Sequence, residues 1–302
     1  MSNNINFSNY FKKANLFSLI FFFFSISVIL IKGLNYGIDF KGGTLLEIQI
    51  SDRNIGITDI RSSLQSLEIG DVSVKEFGEK GNFLIKVEEK TENRKNLSSE
   101  LKDNLNKNLN TEINYRRIEN VGPKVSSELL KSGIIAIFLS LFAMLFYIWI
   151  RFEWQFSIGS IVALFHDVII TLGIFSLLAI EINLSIVAAV LTIVGYSMND
   201  TVVIYDRIRE NLSKYNNVDV NEISNISINE TLSRTLITSI TTLLALTSIF
   251  ILGGEILKGF SFAMILGVLI GTYSSIFVAA PALKYLKVSF KTMQKEEENI
   301  VP

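Results

Sequence analysis

The sequence contains no cysteine and only one histidine, and it lacks the common nucleotide-binding motifs. Without cysteine the chain can form no disulfide, no thiol nucleophile and no thiolate metal site. A single histidine with no HExxH pattern argues against a metal centre. Neither GxxxxGK[ST] nor GxGxxG occurs. The sequence therefore predicts that any energy source is not a nucleotide bound by this chain.

The chain also lacks an excess of either positive or negative charge, because its formal net charge is −1. A balanced charge gives no indication of nucleic-acid binding or of a polybasic lipid patch. The charged residues are unevenly placed, however: 31 of the 57 Lys, Arg, Asp and Glu residues lie between Asn35 and Lys131. The remainder consists largely of apolar blocks separated by short polar joints. This arrangement predicts a soluble domain carried by membrane helices.

Six apolar blocks are long enough to cross a bilayer as α-helices, at 1.5 Å per residue. They run Ala14–Ile31, Gly133–Ile150, Phe156–Ile180, Leu184–Tyr205, Thr235–Leu252 and Phe260–Leu283, the last closed by Pro281. Lys12 and Lys13 precede the first block, as in a signal peptide, but the block ends in ILIKGLN and not in a small-residue cleavage site. We therefore predict an uncleaved membrane anchor.

Lys and Arg residues in the short joints predict the orientation. One set of joints carries eleven of them, whereas the opposite set carries only Lys258, apart from the polar domain and its flanks. Both termini are therefore predicted to be cytoplasmic. The predicted domains are residues 1–34 (N-terminus and first span), 35–132 (extracytoplasmic α+β domain), 133–287 (five-helix bundle with a cytoplasmic loop at 206–233) and 288–302 (cytoplasmic tail).

The polar domain has the pattern strand–helix–strand–strand–helix–strand. The predicted strands are Thr44–Ile50, Val72–Phe77, Phe83–Val87 and Thr111–Ile118, and the predicted helices are Thr58–Leu67 and Leu97–Leu109. Thr58 has the character of an N-cap, and leucine recurs along the second helix with helical spacing. The turn-rich tetrapeptide 79–82 joins the middle strands as a hairpin. This order is typical of a ferredoxin-like α+β domain.

Ionisable residues are rare within membrane spans, because each costs about 2.5–3.5 kcal/mol to insert. This chain has four: His166 and Asp167 in the third span, Asp200 in the fourth and Arg234 at the head of the fifth. Asp200 precedes Asp206 by six residues and so lies about 9 Å inside the boundary. Ser227 has the spacing of a capping box, and a helix beginning there would carry Arg234 about 10 Å deep. An intramembrane Asp200–Arg234 pair is therefore predicted if the two helices are neighbours.

Polar residues also form a stripe on each of these two helices. The fourth span carries Thr192, Tyr196, Asn199 and Asp200, and the fifth carries Thr231, Arg234, Thr235, Thr238 and Thr242. Two stripes at one level predict a hydrated cavity. Three alternatives stay open: the ion pair only fixes helix register, Arg234 snorkels to the interface, and the threonines only pack. His166 and Asp167 equally suit hydrogen bonds between helices, and Gly267-xxx-Gly271 indicates close helix packing.

Several segments resemble the SecD/SecF family of bacterial export subunits. They are GIDFKGGT at 37–44, VGPKVS at 121–126, His166-Asp167-Val168, VGYSMNDTVV at 194–203 followed by YDRIREN at 205–211, and Ser233-Arg234-Thr235 with Thr238-Ser239. Together they cover nearly the whole chain in order. With six spans and no large second external domain, the chain resembles the SecF members of this family and neither SecD nor a fused SecDF.

The resemblance implies a subunit that pairs with SecD, associates with the SecYEG channel and with accessory subunits such as YajC, and acts on a translocating preprotein. It implies similarity to the proton-driven RND exporters, with the proton gradient as energy source, no other cofactor and no enzymatic activity. Asp200 matches the family's proton-pathway aspartate and Arg234 its partner arginine, and Asn199, Asp167 and His166 are further pathway candidates. The signature residues Asp39, Gly42, Gly43, Gly122 and Pro123 are expected to be structural.

Two other functions remain to be weighed. An RND-type small-molecule exporter would need paired porter subdomains, for which an external domain of fewer than 100 residues has no room. An intramembrane aspartyl protease would need two membrane aspartates, for which Asp167 and Asp200 are the candidates. These two lie at different predicted depths, which does not suit a pair of carboxyls that share a proton.

Overall fold

The computed structural model describes residues 5–52, 54–65, 67, 71–88, 97–215 and 218–289. The chain divides into two units. The helical unit contains Met1–Leu34, Ala136–Ile180 and Ser185–Pro302, and the α+β unit contains Asn35–Ile135 and Glu181–Leu184. Most of the predicted C-terminal tail, from residue 290 onward, lies outside the described residues.

A four-stranded antiparallel sheet forms the α+β unit. In chain order its elements are α2 (Ile38–Lys41), β1 (Gly43–Ile50), α3 (Ile57–Gln65), β2 (Val72–Glu76), β3 (Asn82–Glu88), α4 (Leu97–Leu109) and β4 (Ile113–Val121). The strand order is β2-β3-β1-β4, and every adjacent pair is antiparallel. This topology confirms the ferredoxin-like prediction.

The core of this unit lies between one face of the sheet and the two helices. Leu46 and Ile48 of β1 and Ile85 of β3 point to that face with the period of two that a strand imposes. The leucine stripe of α4, represented by Leu101 and Leu105, covers them and is fully buried. The hydrophobic periodicity of the sequence therefore predicted the core-facing side of these elements correctly.

The ends of two elements differ from the prediction. Helix α3 begins at Ile57, so Thr58 lies inside the helix and is not its N-cap. The carboxylate of Asp59 instead reaches back and accepts a hydrogen bond from the Gly56 N–H at 2.8 Å. Strand β4 runs to Val121 because its last residues continue to pair with β1, opposite Gly43.

Of the family-signature residues, Gly42, Gly43 and Asp39 make close contacts within the α+β unit. Gly43 has φ +140°, and a side chain there would overlap the Val87 carbonyl oxygen of the paired strand. Gly42 has φ +84° and lies against Pro123, where a Cβ would be 3.3 Å from the proline Cα. Asp39 accepts a hydrogen bond from the Leu184 N–H at 2.9 Å. Close backbone approach explains Gly42 and Gly43, whereas no atom lies within 4 Å of a Cβ added at Gly122.

Six helices within the described residues are long and apolar enough to cross a membrane. They contain the helices α1 (Phe11–Lys32), α5 (Pro123–Arg151), α6 (Trp154–Leu177), α7 (Leu184–Lys214), α8 (Val220–Leu252) and α9 (Gly254–Ser274). A 3₁₀ turn (Phe7–Tyr10) precedes α1. Helix α9 continues through a π-helical turn (Ser275–Ala279) into α10 (Ala280–Tyr285). The six predicted spans are thus confirmed. Helix α6 is the most buried of them, whereas α1 and α5 are the least buried.

Helices α7 and α8 extend well beyond the apolar blocks. Helix α8 begins at Val220, where Asp219 accepts a hydrogen bond from the Asn221 N–H at 2.7 Å. Ser227 therefore lies inside α8, and the predicted capping box at Ser227 is wrong. Its hydroxyl accepts a hydrogen bond from Asn211 of α7 at 3.0 Å. Most of the polar residues between the two apolar blocks are therefore still helical, because those of α7 form hydrogen bonds with those of α8.

Candidate functional site

A seam of small residues brings α7 and α9 together in the helical unit. Gly267 packs against Ile193, whose side chain would overlap a Cβ at this position. One turn further along both helices, a Cβ at Gly271 would lie 2.9 Å from the Ser197 Cβ. The Gly267-xxx-Gly271 prediction of close helix packing is therefore confirmed.

Asp167 of α6 lies at the centre of this seam and is completely buried. Its Oδ2 accepts hydrogen bonds from Ser197 Oγ of α7 at 2.6 Å and from Ser274 Oγ of α9 at 2.8 Å. Its Oδ1 lies 2.9 Å from Nδ1 of His166. Both carboxylate oxygens are thus engaged, which ties three helices together. This geometry favours the interpretation of Asp167 as a hydrogen-bond hub between helices.

His166 is enclosed by aromatic rings from two other helices. Its ring stacks on Phe22 of α1 and on Tyr273 of α9, with centroids 6.5 Å apart in both cases. Tyr273 is held in place by its own hydroxyl, which donates to the Ala14 carbonyl at 3.0 Å. Within the described residues His166 Nε2 has no hydrogen-bond partner. The imidazole is therefore oriented by its bond to Asp167 and by ring stacking.

Asp200 of α7 has a different environment from that of Asp167. It is 3% exposed, and its Oδ2 has no hydrogen-bond partner among the described residues. On the neighbouring helices α9 and α8, the hydroxyls of Thr272 and Ser239 contact each other, with 2.8 Å between the oxygens. Asp200 is therefore a buried carboxyl group with one oxygen atom that has no partner among the described residues.

Arg234 does not form the predicted ion pair. Its side chain is exposed, and among the described residues it has no carboxylate within ion-pair distance, although its charge acts electrostatically on Asp200. Helices α7 and α8 are antiparallel, with Tyr196 opposite Thr242 and Asn211 opposite Ser227. In this register position 238 lies level with Asp200, so Arg234 is one turn, about 6 Å, nearer the α7–α8 connection.

The predicted depth of Arg234 is wrong because it was counted from Ser227, whereas α8 begins at Val220. The exposure of Arg234 agrees with the alternative that its long side chain reaches away from the helix packing. Asn199 is exposed as well. Of the five site residues predicted within the membrane, the structure therefore buries three, His166, Asp167 and Asp200, and leaves Asn199 and Arg234 at the surface of this chain.

Most threonine hydroxyls of the two polar stripes form hydrogen bonds within their own helices. The hydroxyls of Thr231, Thr238 and Thr242 donate to carbonyls of α8 at 2.8–3.1 Å, and Thr192 does the same in α7 at 2.8 Å. The Tyr196 hydroxyl makes a longer contact with Thr242 at 3.4 Å. These bonds favour the packing interpretation of the stripes, and the hydrated cavity stays a prediction.

Sequence reasoning missed the π-helical turn that follows the seam. Here the Ala280 N–H bonds to the Ser275 carbonyl, five residues back. Thr201 of α7 contacts Ser275, with 2.9 Å between hydroxyls, and the Tyr205 hydroxyl donates to the Ala279 carbonyl at 3.0 Å. Pro281 was the sequence feature that could have indicated this irregular turn, because a proline lacks the N–H that a regular helix needs.

Comparison with known proteins identifies the family. A family model described as protein export membrane protein SecD/SecF, C-terminal, matches residues 101–289, and a second, the SecD/SecF GG motif, matches residues 27–52. The protein translocase subunit SecF of Rickettsia rickettsii is 44% identical over 281 residues, which are 93% of this chain and 91% of that protein. The chain belongs to the SecD/SecF family.

Other SecD/SecF relatives agree in sequence and in structure. The protein translocase subunit SecF of Cereibacter sphaeroides is 41% identical over 283 residues, which are 90% of this chain and 86% of that protein. The crystal structure of SecDF, a translocon-associated membrane protein from Thermus thermophilus, matches with a TM-score of 0.83 and 35% identity over 94% of this chain. A second SecDF structure, in a super-membrane-facing form, matches with a TM-score of 0.70 and 33% identity.

The two SecDF structures are much longer than the region of similarity. This chain covers 39% and 40% of their respective lengths, whereas it covers most of each SecF relative. The six apolar helices and the similarity to SecF and SecDF proteins show that this SecD/SecF family member is a multi-pass inner-membrane protein.

Proposed function

We propose that the chain is a SecF-type subunit of the protein translocase, which works with SecD to promote protein export and uses the proton-motive force to do so. The similarity to SecF proteins over nine-tenths of the chain supports the assignment to protein export. The similarity to fused SecDF structures supports SecD as the partner. Within this proposal the SecYEG channel, YajC-like accessory subunits and the translocating preprotein are the further partners.

The contrast between the two buried aspartates is the observation that carries proton coupling. Asp167 uses both carboxylate oxygens in hydrogen bonds to His166, Ser197 and Ser274, so these neighbours replace its hydration. Asp200 is equally sequestered but leaves Oδ2 without a partner. A carboxyl group in this position can exist in both protonation states and thereby bias a two-state helix arrangement.

The energy available from protons is sufficient for such a role. Each elementary charge that crosses the membrane supplies about 2.3 kcal/mol per 100 mV. A ligand shifts a two-state equilibrium only by its differential affinity for the two states. A proton that Asp200 binds in one arrangement and releases in the other therefore supplies this energy once per cycle, and a few cycles supply several times as much.

The exposure of Arg234 supports a position for the partner subunit within this proposal. A guanidinium at membrane depth requires an anion or water, and in this chain Arg234 is exposed without an ion pair among the described residues. The neighbouring α8 surface is strongly apolar and also exposed, as at Ile237 and Ile240. In this proposal SecD covers the face of α8 that carries Arg234 and completes the surroundings of the arginine.

The arrangement does not favour the two rival functions. An aspartyl protease needs two carboxyls that share one proton, whereas the Asp167 carboxylate is bonded to His166, Ser197 and Ser274 and, among the described residues, has no hydrogen bond to Asp200. An RND-type small-molecule exporter is not supported by the relatives, which are named as translocase subunits. The proposal assigns no catalytic residue to the chain.

Reconstituted vesicles test the assignment to protein export. Vesicles containing the SecYEG channel and SecD are prepared with and without this chain, and export of a preprotein is measured against an imposed proton gradient. We expect a gradient-dependent increase in export only when both SecD and the chain are present. Equal export with and without the chain, at verified incorporation, would show that the assignment is wrong.

A further inference from the structure

The chain enters the α+β unit a second time between α6 and α7, where residues 181–184 are part of that unit. Ile182 forms an isolated parallel β-bridge with Tyr36, in the segment that follows α1. The Ile182 N–H donates to the Asn35 carbonyl at 2.7 Å, and the Ile182 carbonyl accepts from the Gly37 N–H at 2.9 Å. The backbone between α6 and α7 is therefore tied to the residues that lead from α1 into the sheet.

Two carboxylates hold the same four residues from either end. Asp39 accepts a hydrogen bond at 2.9 Å from the N–H of Leu184, the first residue of α7. The first N–H groups of a helix have no partner within it, so Asp39 caps α7 from a distant part of the chain. Glu181 pairs with Lys86 of β3, and its other oxygen lies 4.0 Å from Lys75 Nζ of β2. The side chains of Lys86 and Glu181 are only 19% and 22% exposed, so solvent screens this ion pair less than a fully exposed one.

The helix ends before these contacts are held as well, within the helical unit. Ser176 Oγ of α6 donates to the carbonyl of Gly33 at 2.6 Å, directly after α1, and Lys32 Nζ donates to the Leu177 carbonyl at 3.0 Å. The backbone N–H groups of residues 178–180 donate back to α6 at 3.0–3.2 Å. Each residue between the end of α6 and residue 181 is thus bonded to the helix, so a displacement of α6 reaches the bridge directly.

We propose that these contacts form a transmission joint, through which movement of α6 and α7 moves the sheet of the α+β unit. The joint consists of Asn35–Asp39, Glu181–Leu184 and Lys86. A loop without such contacts would absorb a displacement of the helices that it connects. The proposal rests on the proposed function, in which protonation of Asp200 on α7 biases a two-state helix arrangement. Glu181 and Asp39 are the positioning residues of this joint.

Charge exchange across the ion pair tests the joint in vesicles that contain SecYEG, SecD and this chain. Export is measured with and without an imposed proton gradient and normalised to assembled complex. Glu181→Lys and Lys86→Glu each place like charges side by side and should reduce the gradient-dependent part of export at least about fivefold, the lower end of the range typical for coupling between two sites. Export without a gradient should stay at the wild-type level, whereas a merely structural role would lower both parts alike. The double exchange should restore the wild-type dependence on the gradient.

Substitution of Asp39 tests the second contact of the joint. Asp39→Ala removes the acceptor of the Leu184 N–H and should reduce the gradient-dependent part of export in the same way. Asp39→Asn keeps a side-chain oxygen that can accept this bond and should export as the wild type does. Arg117→Glu is the matched control for a lost ion pair in the same unit, because Arg117 pairs with Glu119 of its own strand at 2.8 Å.

The outcomes separate the joint from the proposed function. Wild-type gradient dependence in Glu181→Lys and Asp39→Ala, an equal loss in Arg117→Glu, or a double exchange as impaired as the single variants overturns the joint and leaves the role of Asp200 intact. If Asp200→Asn keeps the wild-type gradient dependence, the proposed function itself is wrong. Should Glu181→Lys fail to assemble, wild-type gradient dependence in Asp39→Ala overturns the inference.

Discussion

At the scale of single residues, the two membrane aspartates differ in how their burial is compensated. A buried carboxylate is tolerated when hydrogen bonds replace its hydration. Asp167 receives three such bonds from α6, α7 and α9, and Asp200 keeps one free oxygen. One residue is thus suited to fixing the helices and the other to changing its protonation state.

Alanine substitutions distinguish these two roles through stability. Asp167→Ala removes the hydrogen-bond partner of His166, Ser197 and Ser274 and should destabilise the chain by about 2 kcal/mol or more. Asp200→Ala removes a carboxyl group whose Oδ2 has no hydrogen-bond partner among the described residues, and it should lower the melting temperature in detergent by much less. Equal melting temperatures for the two variants would refute the hub role of Asp167.

A second residue-scale prediction concerns the signature glycines of the α+β unit. Gly43→Ala should destabilise that unit by about 2 kcal/mol or more, because its φ is +140° and a methyl group would overlap the Val87 carbonyl. Gly122→Ala is the control, since no atom lies within 4 Å of the added Cβ. Amide hydrogen exchange across β1 and β3 in the full chain measures both. Unchanged exchange in Gly43→Ala would contradict the packing argument.

The sequence predicted some of these residues and not others, for physical reasons. Gly267 and Gly271 were predictable because small residues four apart nearly always mark close helix contact in membranes. Thr272 and Ser239 were not, since most membrane threonines and serines bond to their own helix, as Thr238 and Thr242 do here. Only the register of the helices distinguishes a hydroxyl that bonds to a neighbouring helix, as those of Thr272 and Ser239 do.

At the scale of elements, the α7–α9 seam determines the geometry around both aspartates. Its contacts recur every four residues along α7, at Ile193, Ser197 and Thr201. Beyond Thr201 the seam continues into the π-helical turn, where Tyr205 bonds to the Ala279 carbonyl. The small residues of α9 permit this approach of the two helices.

Substitution in the seam should separate the helices. Gly267→Ala places a methyl group on the Ile193 side chain and should destabilise the helical unit by about 1–3 kcal/mol. Gly195→Ala in α7 has no atom within 4 Å of the new methyl group and should be neutral or slightly stabilising. Thermal unfolding in detergent compares the two. If Gly195→Ala proves as harmful as Gly267→Ala, steric contact in the seam is not the cause.

The helix ends were the least predictable part of the fold. Hydropathy located all six spans, yet α7 continues to Lys214 and α8 begins at Val220. The extra turns are polar because they pair with each other: Arg207 bonds to Glu230 at 2.6 Å, and Asn211 bonds to the same carboxylate at 2.7 Å. Such pairs between helices are invisible to a sequence window, so the helix start and the depth of Arg234 were misjudged.

At the scale of the whole molecule, the asymmetry of Lys and Arg residues predicts the orientation of the chain. The absence of cysteine allows a direct test with single cysteines. Lys80→Cys lies in the hairpin turn of the α+β unit and Ser213→Cys near the end of α7, and both positions are exposed. In intact spheroplasts an impermeant reagent should label Lys80→Cys alone. Labelling of Ser213→Cys from outside would invert the proposed topology.

The central claim is that protonation of Asp200 couples the proton gradient to export, and one measurement tests it directly. Export rate is recorded against the imposed gradient in vesicles that contain SecYEG, SecD and this chain, normalised to assembled complex. Asp200→Asn keeps the size of the side chain, removes the titrating group and should abolish the dependence on the gradient while assembly with SecD stays normal. If Asp200→Asn retains the wild-type dependence on the gradient, Asp200 carries no coupled proton and the account is contradicted.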